Sequence, residues 1–556
     1  MTTRKILNNL IKLLKSYQWN ILWLNIKDID TNKLDDITAK QILSLRAFLL
    51  SALFGDNASA EKILVKFPDK IDDPIIYFTV TLSWLSIINQ EKIDIYVRYV
   101  PPKLLNWMRY WIQIEYLGRS FKYEEQSKLV EKLAVNDKNI DDYIKTALYN
   151  TLFDKTRYLK HTKKLIISLN LINNKDPLSI LLCIATELKD VKDIKFSEHF
   201  FLKNIYTTHL LLNKHYLYEC MILYDELASN NMLTLNSAIT WLSYFISFPE
   251  NGINIFNKIE ELFKFLPATL YIRGSVVTYA LIYSWITNNI NQINNIIKHF
   301  KEYDKLPVDD FIKNNKIFFR YVLRLSISRN ENTNLYKNNK ISKPLYVLGE
   351  SHSLSLSNLN FSFEDKLYTG STCFIMGVKM QHLSKFDISN NSICFKEHIK
   401  IIPDFSDILI TIGEIDCRPN EGIWKYFLAH DITIEEIIEN TVSNYMEFLL
   451  DCLREKFFYS ITIQGIMAPG YVLIDSNDPQ DEIGFLNMIK KVNERLKYFS
   501  LENKWNFLDV YSATVGNNGK SNMQWHIDDY HLKPSFYTES NKWLIKPEAK
   551  KRRQYL

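Results

Sequence analysis

The residues best equipped for chemistry lie in the string Pro344 to Ser353, P-L-Y-V-L-G-E-S-H-S. Leu345 to Leu348 is a short apolar, partly β-branched run that stops at Gly349. An acid, a hydroxyl and an imidazole follow at once: Glu350, Ser351 and His352. A buried strand ending in a glycine turn, with a serine just beyond it, is how an open α/β sheet presents a nucleophile. A serine hydroxyl attacks poorly until a neighbouring base takes its proton, and that base needs an acceptor to orient it. Residues of those two types occur together far downstream, in the D-x-x-H pair Asp528 and His531.

Four landmarks lie in order: G-E-S-H-S at 349–353, T-G-S-T at 369–372, G-E-I-D at 413–416 and D-D-Y-H-L at 528–532. Their order and spacing resemble those of the SGNH (GDSL-like) hydrolases, over residues 343–540. The resemblance implies a three-layer, flavodoxin-like α/β domain with a parallel sheet, and a serine esterase or O-acyltransferase that works through an acyl-enzyme. It makes Ser351 the nucleophile, His531 the general base and Asp528 the residue that orients the imidazole. Gly370 matches the glycine whose N–H stabilises the oxyanion, with the Ser351 N–H as the other main-chain donor. The third block, with Gly413 and Asp416, carries Ile415 where the family has an asparagine donor. Isoleucine cannot donate, so Arg418 or Asn420, in D-C-R-P-N, is the expected replacement, and an arginine would also hold an acidic substrate group. Glu350 stands where the family usually has aspartate. The substrate implied is a small acyl ester of a carbohydrate-like or other hydroxyl compound, with neither cofactor nor metal. A helical-repeat scaffold carrying a weakly catalytic domain is the alternative.

His352 adjoins the serine, and a side chain one residue on is expected to point away from it. His526, Asp528, Asp529 and His531 are all metal-ligand types, which leaves a metal-assisted hydrolase as a further reading. Since the triad already uses two of them, Asp529 is expected to be a solvated neighbour.

These groups need a scaffold, and the chain is long enough for more than one. At 556 residues it exceeds a single ordinary core. Hydrophobic content of 47% with 24% charged residues excludes wholesale disorder. The net charge of +5 is small and spread out, against a nucleic-acid binder. The basic cluster Lys550 to Arg553 reads as a solvated tail over 541–556. The N-terminal stretch is broken by Lys and Asn and lacks the apolar core of a signal peptide. The longest apolar candidate, Gly274 to Ile286, is too short to cross a bilayer. Six scattered cysteines without C-x-x-C spacing fit a reducing compartment. A cytoplasmic protein is therefore expected.

Only four of the 14 glycines (Gly55, Gly118, Gly252 and Gly274) precede residue 340. A stretch that poor in glycine lacks the tight turns of strand-rich folds, which predicts helices over 1–327. Residues 328–342, polar and Asn-rich, read as a linker. Within 1–327 candidate helices begin near Asp73, Pro102, Ile140, Asp176, Asn236 and Leu266. Their spacing of roughly 28–37 residues suggests a degenerate helical solenoid, near the period of tetratricopeptide units at about 34. Ile114 to Phe121 loosely resembles the L-G-x-x-Y turn of such a unit. Trp84, Trp107, Trp111, Trp241, Tyr279 and Tyr283 read as packing between helices. A concave face of such an array would suit a protein partner. From 343 onward short strands (Leu345–Leu348, Lys366–Thr369, Ile408–Ile412, Ile461–Ile466, Phe507–Val510) alternate with long helices at Ile434–Lys456 and Glu482–Leu501. That alternation predicts a parallel sheet covered on both faces.

Overall fold

The computed structural model describes residues 3–185 and 235–548, apart from 16–17, 121, 135–140, 151–154, 174–175, 250–258, 260–261, 263, 265, 268, 302–304, 306–314, 337–341, 364–365, 384–388 and 472–478. The chain is mostly helical, with a mixed, mostly parallel seven-stranded sheet in its C-terminal part. It divides into two compact units, each described separately below.

The first unit comprises Met1–Trp241, Phe256–Gly274 and Asp309–Ile312. Several of its helices start where an Asp or Asn side chain accepts a backbone N–H of the first turn, relieving one of the orphan donors there. Asp35 caps through Thr38 N at 2.9 Å, Asp56 through Ser59 N at 3.1 Å, and Asp73 through Ile75 N and Ile76 N. Asp176 does the same through Ser179 N. Helix Asp36–Ala52 packs on Pro74–Ile87, that helix on Asn106–Arg119, that on Asp142–Asn150, and that on Pro177–Ala185. Every such contact skips a helix, as stacked helix pairs require. Trp84, Trp111 and Trp241 are buried, and Trp107 packs edge-on against Phe78. Gly118 lies inside helix Asn106–Arg119 and not in a turn.

The second unit comprises Leu242–Ile255, Ser275–Val308 and Lys313–Leu556. Its strands are β1 (Lys343–Gly349), β2 (Asn360–Phe363), β3 (Lys366–Phe374), β4 (Ser406–Thr411), β5 (Phe458–Gln464), β6 (Asn506–Leu508) and β7 (Leu544–Ile545). They run in the order β2-β3-β1-β4-β5-β6-β7. The five inner strands are parallel, while β2 and β7 close the edges antiparallel. The inner strands read as continuous apolar runs because both faces are covered: Leu345, Val347, Leu348, Ile408, Leu409 and Ile410 are all fully buried. Ile437, Val442, Tyr445 and Leu449 of helix Ile434–Leu453, with Met488, Val492 and Leu496 of helix Pro479–Glu502, join Leu348, Ile408 and Ile410 in one core. Thr433 caps the first of these helices through Glu436 N at 3.3 Å, as its sequence predicts.

Three sequence boundaries move. The division does not fall at 328–342, because helices Ile290–Phe300 and Asn315–Glu331 belong to the sheet-containing unit. Phe318 meets Phe374 of β3 edge-on at 5.9 Å, and Phe248 stacks on His398 at 4.5 Å. The expected linker is helical to Glu331 and forms a 3₁₀ turn at Thr333–Tyr336. The expected tail from 541 contains β7, whose Ile545 pairs with Phe507, whereas 549–556 lies outside the described residues. β2 and β7 are too short to show a period in sequence.

If helix Asn315–Glu331 and the sheet form one cooperative unit, they open together. Replacing the fully buried Ile410 with alanine is expected to cost about 2–5 kcal/mol. In native-state hydrogen exchange, the amides of that helix should lose protection in step with those of β1 and β4.

Candidate active site

At β1 the sheet order reverses: the chain goes first to β3 on one side and later to β4 on the other. A crevice opens beyond the carboxyl ends of strands at such a point, and the G-E-S-H-S string lies there. Gly349 ends β1 because nothing larger fits: a Cβ would lie 2.1 Å from Thr411 Oγ1 and 2.6 Å from the Thr411 carbonyl oxygen. Ser351 then opens a 3₁₀ helix, Ser351–Leu356, pinned where Ser353 N and Oγ both donate to the Glu350 carbonyl.

The opposing residues come from a tight loop. An isolated bridge joins His526 to Leu532, Lys533 N donates to Trp525 O, and Ile527 N donates to His531 O. Inside it the Asp528 carboxylate accepts the Tyr530 N–H at 2.9 Å, an Asx turn that brings residue 531 back beside 528. This is how an Asp three positions ahead can serve the imidazole. His531 Nδ1 lies 2.8 and 3.0 Å from the two Asp528 oxygens, and His531 Nε2 lies 2.9 Å from Ser351 Oγ. Ser351 is 3% and His531 2% exposed.

The structure thus brings Ser351, Asp528 and His531 within hydrogen-bond reach of one another. Burial alone would push the Asp528 carboxyl up. The His531 ring, the Tyr530 N–H and Arg324 outweigh burial and hold it at about 2.

Ser351 has a second acceptor. Its hydroxyl also donates to Glu350 Oε2, while Glu350 Oε1 meets His352 Nδ1 at 2.5 Å. One hydroxyl proton cannot serve both Glu350 and His531. When it points to Glu350, the His531 contact requires a proton on Nε2. Nδ1 already faces Asp528, so the ring is then an imidazolium. When it points to His531, the neutral imidazole is ready to act as base. Burial works against the charge on Glu350, but His352 and the Ser351 hydroxyl bring its carboxyl down to about 2. Burial likewise disfavours charge on His352, and the Glu350 carboxylate outweighs it and raises the imidazole. His352 therefore does not point away, as its position next to Ser351 had suggested: its ring stands 5.4 Å from that of His531.

The expected oxyanion and substrate residues fare differently. Gly370 is not free to donate: its N–H is bonded to Leu359 O at 2.9 Å, inside β3 and opposite Leu345. A Cβ there would sit 1.9 Å from Leu356 O, so glycine is required by close packing. The sequence reading ended β3 at Thr369, five residues too early, which misplaced Gly370 at the strand end. Gly413 does lie in the turn after β4, at φ +133°. Ile415 is buried. Asp416 accepts Met380 N at 2.8 Å and Gln381 N at 3.4 Å, stapling the loops after β3 and β4, and burial pushes its carboxyl up to about 7. Arg418 is held by Glu414, with Nε at 2.9 Å and Nη2 at 2.6 Å, and its guanidinium covers the Tyr530 ring. Asn420 is exposed in the following turn.

His526 bonds Ser521 through Nδ1, and Asp529 is exposed. Among the described residues the ligand-type side chains close enough to share an ion are Glu350, His352 and Glu414. His352 and Arg418 already neutralise both carboxylates, so two buried ion pairs account for the cluster. A cavity of about 490 Å³ between Met380, Asp416, Tyr426 and Asn444 is lined by none of the triad residues.

The sequence reading missed Glu350 and Glu414 as partners within the site, and missed Tyr321 and Arg324 altogether. Tyr321 stacks on His531 at 3.8 Å, and Arg324 Nη1 lies 3.6 Å from Asp528 Oδ2. The available signal was the pattern Phe318, Tyr321, Val322, Leu325, a helical face that needed something to pack on. No protein-family model matches this sequence, and no curated protein matches it.

Asp528 sits below the ordinary carboxylate value of about 4. Its contribution to stability is therefore complete above that pH and is lost as pH falls towards about 2. Asp528→Asn should lose this acid sensitivity, narrowing the fall in stability between pH 5 and 2 by about 2 kcal/mol. Thermal unfolding across that range, compared with wild type, checks it.

Proposed function

We propose that the second unit is an SGNH-type serine esterase or O-acyltransferase acting on a small acyl ester of a carbohydrate-like or other hydroxyl compound. The observation that carries this reading is the unbroken contact chain from Ser351 Oγ to His531 Nε2 and from His531 Nδ1 to Asp528. The strand order supports it: the five parallel strands, counted along the chain, lie 2-1-3-4-5, the flavodoxin-like order. The near-complete burial of Ser351 favours a small acyl group.

In this mechanism His531 Nε2 takes the Ser351 proton as Oγ attacks the ester carbonyl carbon. The tetrahedral intermediate collapses, the C–O bond to the alcohol breaks, and His531 returns the proton to the leaving alkoxide. The acyl-serine is then attacked by water or a second hydroxyl, whose proton His531 accepts; the C–Oγ bond breaks and His531 returns that proton to Ser351 Oγ. Asp528 stabilises the imidazolium in both halves. With Gly370 committed to β3, the main-chain donors available to this reading are Ser351 N–H and the loop after β3. Gly377, at φ +66°, lies in that loop three residues beyond the strand's end.

A second reading has its own observation. Gly370 is committed, Ile415 is apolar and its expected replacement Arg418 is held by Glu414, so two expected oxyanion contributors are missing or engaged. One lost donor costs on the order of 100- to 1000-fold in rate. The alternative is a weakly catalytic domain joined to a helix-pair solenoid that binds a protein partner.

A fluorophosphonate separates the two, because it labels only an activated serine. The catalytic reading expects labelling of the full chain that vanishes in Ser351→Ala and His531→Ala. It also expects burst release of p-nitrophenol from an acetyl ester, slowed on the order of 10³- to 10⁴-fold in Asp528→Asn. An unlabelled wild-type chain would leave the scaffold reading.

A further inference from the structure

Helix Asn315–Glu331 comes from the part of the sequence that reads as helical scaffold, yet it touches two triad residues. Tyr321 and Arg324 are three residues apart, on one helical face. The Tyr321 ring lies almost parallel to that of His531, 3.8 Å between centroids and 14° between planes. Its hydroxyl meets Ser355 Oγ at 2.6 Å, and Ser355 Oγ donates to Leu532 O at 2.5 Å. Ser355 belongs to the 3₁₀ helix that Ser351 opens, and Leu532 follows His531. One turn further on, Arg324 Nη1 lies 3.6 Å from Asp528 Oδ2 and donates to Ile527 O at 3.4 Å.

We propose that helix Asn315–Glu331 positions the triad: Tyr321 fixes the plane of the His531 ring and locks the Ser351 helix to the His531 loop, while Arg324 anchors the Asp528 turn. The inference rests on the reading of Ser351 and His531 given above. Its physical basis is the geometry of an imidazole that must make two hydrogen bonds in its own plane. Tilting the ring breaks both, and neither bond resists a tilt strongly. A flat contact on the ring face does, and the fully buried Tyr321 provides it. The His352 ring, tilted 46° at 5.4 Å, is a second neighbour of the imidazole. The route through Ser355 removes the other freedom, sliding of the loop against the nucleophile's helix. Neither Tyr321 nor Arg324 reaches Ser351 Oγ, so both are positioning residues.

Several charged or titratable groups surround His531. Asp528 and Tyr530 lie on its own loop, and Tyr321 and Arg324 on the helix. Glu350 and His352 come from the end of β1. His526 and, across Tyr530, Arg418 complete the set. Of these, Arg324 is half exposed and can be changed with little effect on the fold. It bears on the site through the Asp528 turn, so a labelling rate lost with the unfolding midpoint unmoved reports positioning, whereas a general structural defect would lower both.

The experiment is the rate of fluorophosphonate labelling of Ser351 in the full chain from pH 5 to 9, with thermal unfolding as a fold control. Tyr321→Leu should slow labelling on the order of 10- to 100-fold, and Tyr321→Phe, which keeps the ring, should recover most of that loss. Arg324→Gln should slow labelling on the order of 3- to 10-fold with the unfolding midpoint unmoved. Wild-type rates in both Tyr321→Leu and Arg324→Gln would overturn the inference alone. Should Tyr321→Leu fail to fold, the rate of Arg324→Gln decides. If the wild-type chain shows no Ser351-dependent labelling, the underlying reading of the site falls and this inference with it.

Discussion

The arrangement depends on one contact, Ser351 Oγ to His531 Nε2, between residues 180 positions apart. A hydrogen bond holds only within a few tenths of an ångström, so both ends must be rigid in the same frame. At one end β1, paired on both sides, stops where Gly349 lies against Thr411, and the chain tightens into a 3₁₀ turn. At the other, a hydrogen-bonded loop with an Asx turn returns His531 to Asp528. What joins them is the packing of Ser355, Leu532 and Tyr321, which is why the neighbouring helix enters the account of the site.

Charge is the second constraint. Glu350 and Glu414 are buried beside the serine, and an unpaired carboxylate there would cost several kcal/mol. His352 and Arg418 neutralise them one for one. Such pairs contribute little net stability, yet removing one partner leaves a buried charge. The price of holding Glu350 here is competition for the Ser351 proton, which couples the state of the serine to protonation of His531. Arg418, for its part, is already engaged by Glu414, which weakens the case for it as a carboxylate anchor.

Much of this was legible in the residues. Strands β1, β4, β5 and β6 and the helices after residue 434 follow from apolar runs and caps, because burial on both faces writes itself into sequence as continuous hydrophobicity. Ser351 stood out because turn chemistry and residue type coincide at the end of β1, and Asp528 and His531 because their spacing lets the acid reach the imidazole. Gly370 was misread since a glycine that marks a strand end and one that admits a neighbouring carbonyl look alike without the register. β2 and β7 were missed because a two- to four-residue edge strand is defined by its partner. Tyr321 and Arg324 could not be found as site residues by motif, since their role lies in which surface the helix packs on.

The shift in texture near residue 340, where glycine becomes common, records a change from helices to strands and loops. It does not record a boundary of packing. Glycine is required by tight turns and close backbone approaches, and these begin with the sheet. Packing units are set by which apolar faces meet, and the faces of Asn315–Glu331 and the residues from 275 onward meet the sheet layer. Trp285 Nε1 donates to Leu354 O at 2.8 Å, inside the 3₁₀ helix that carries Ser351, and Asn358 Nδ2 reaches back to Trp285 O and Ile286 O. Two helical segments that composition assigns to the scaffold therefore brace the candidate nucleophile's own turn, and a division drawn at the compositional change would cut through the supports of the site.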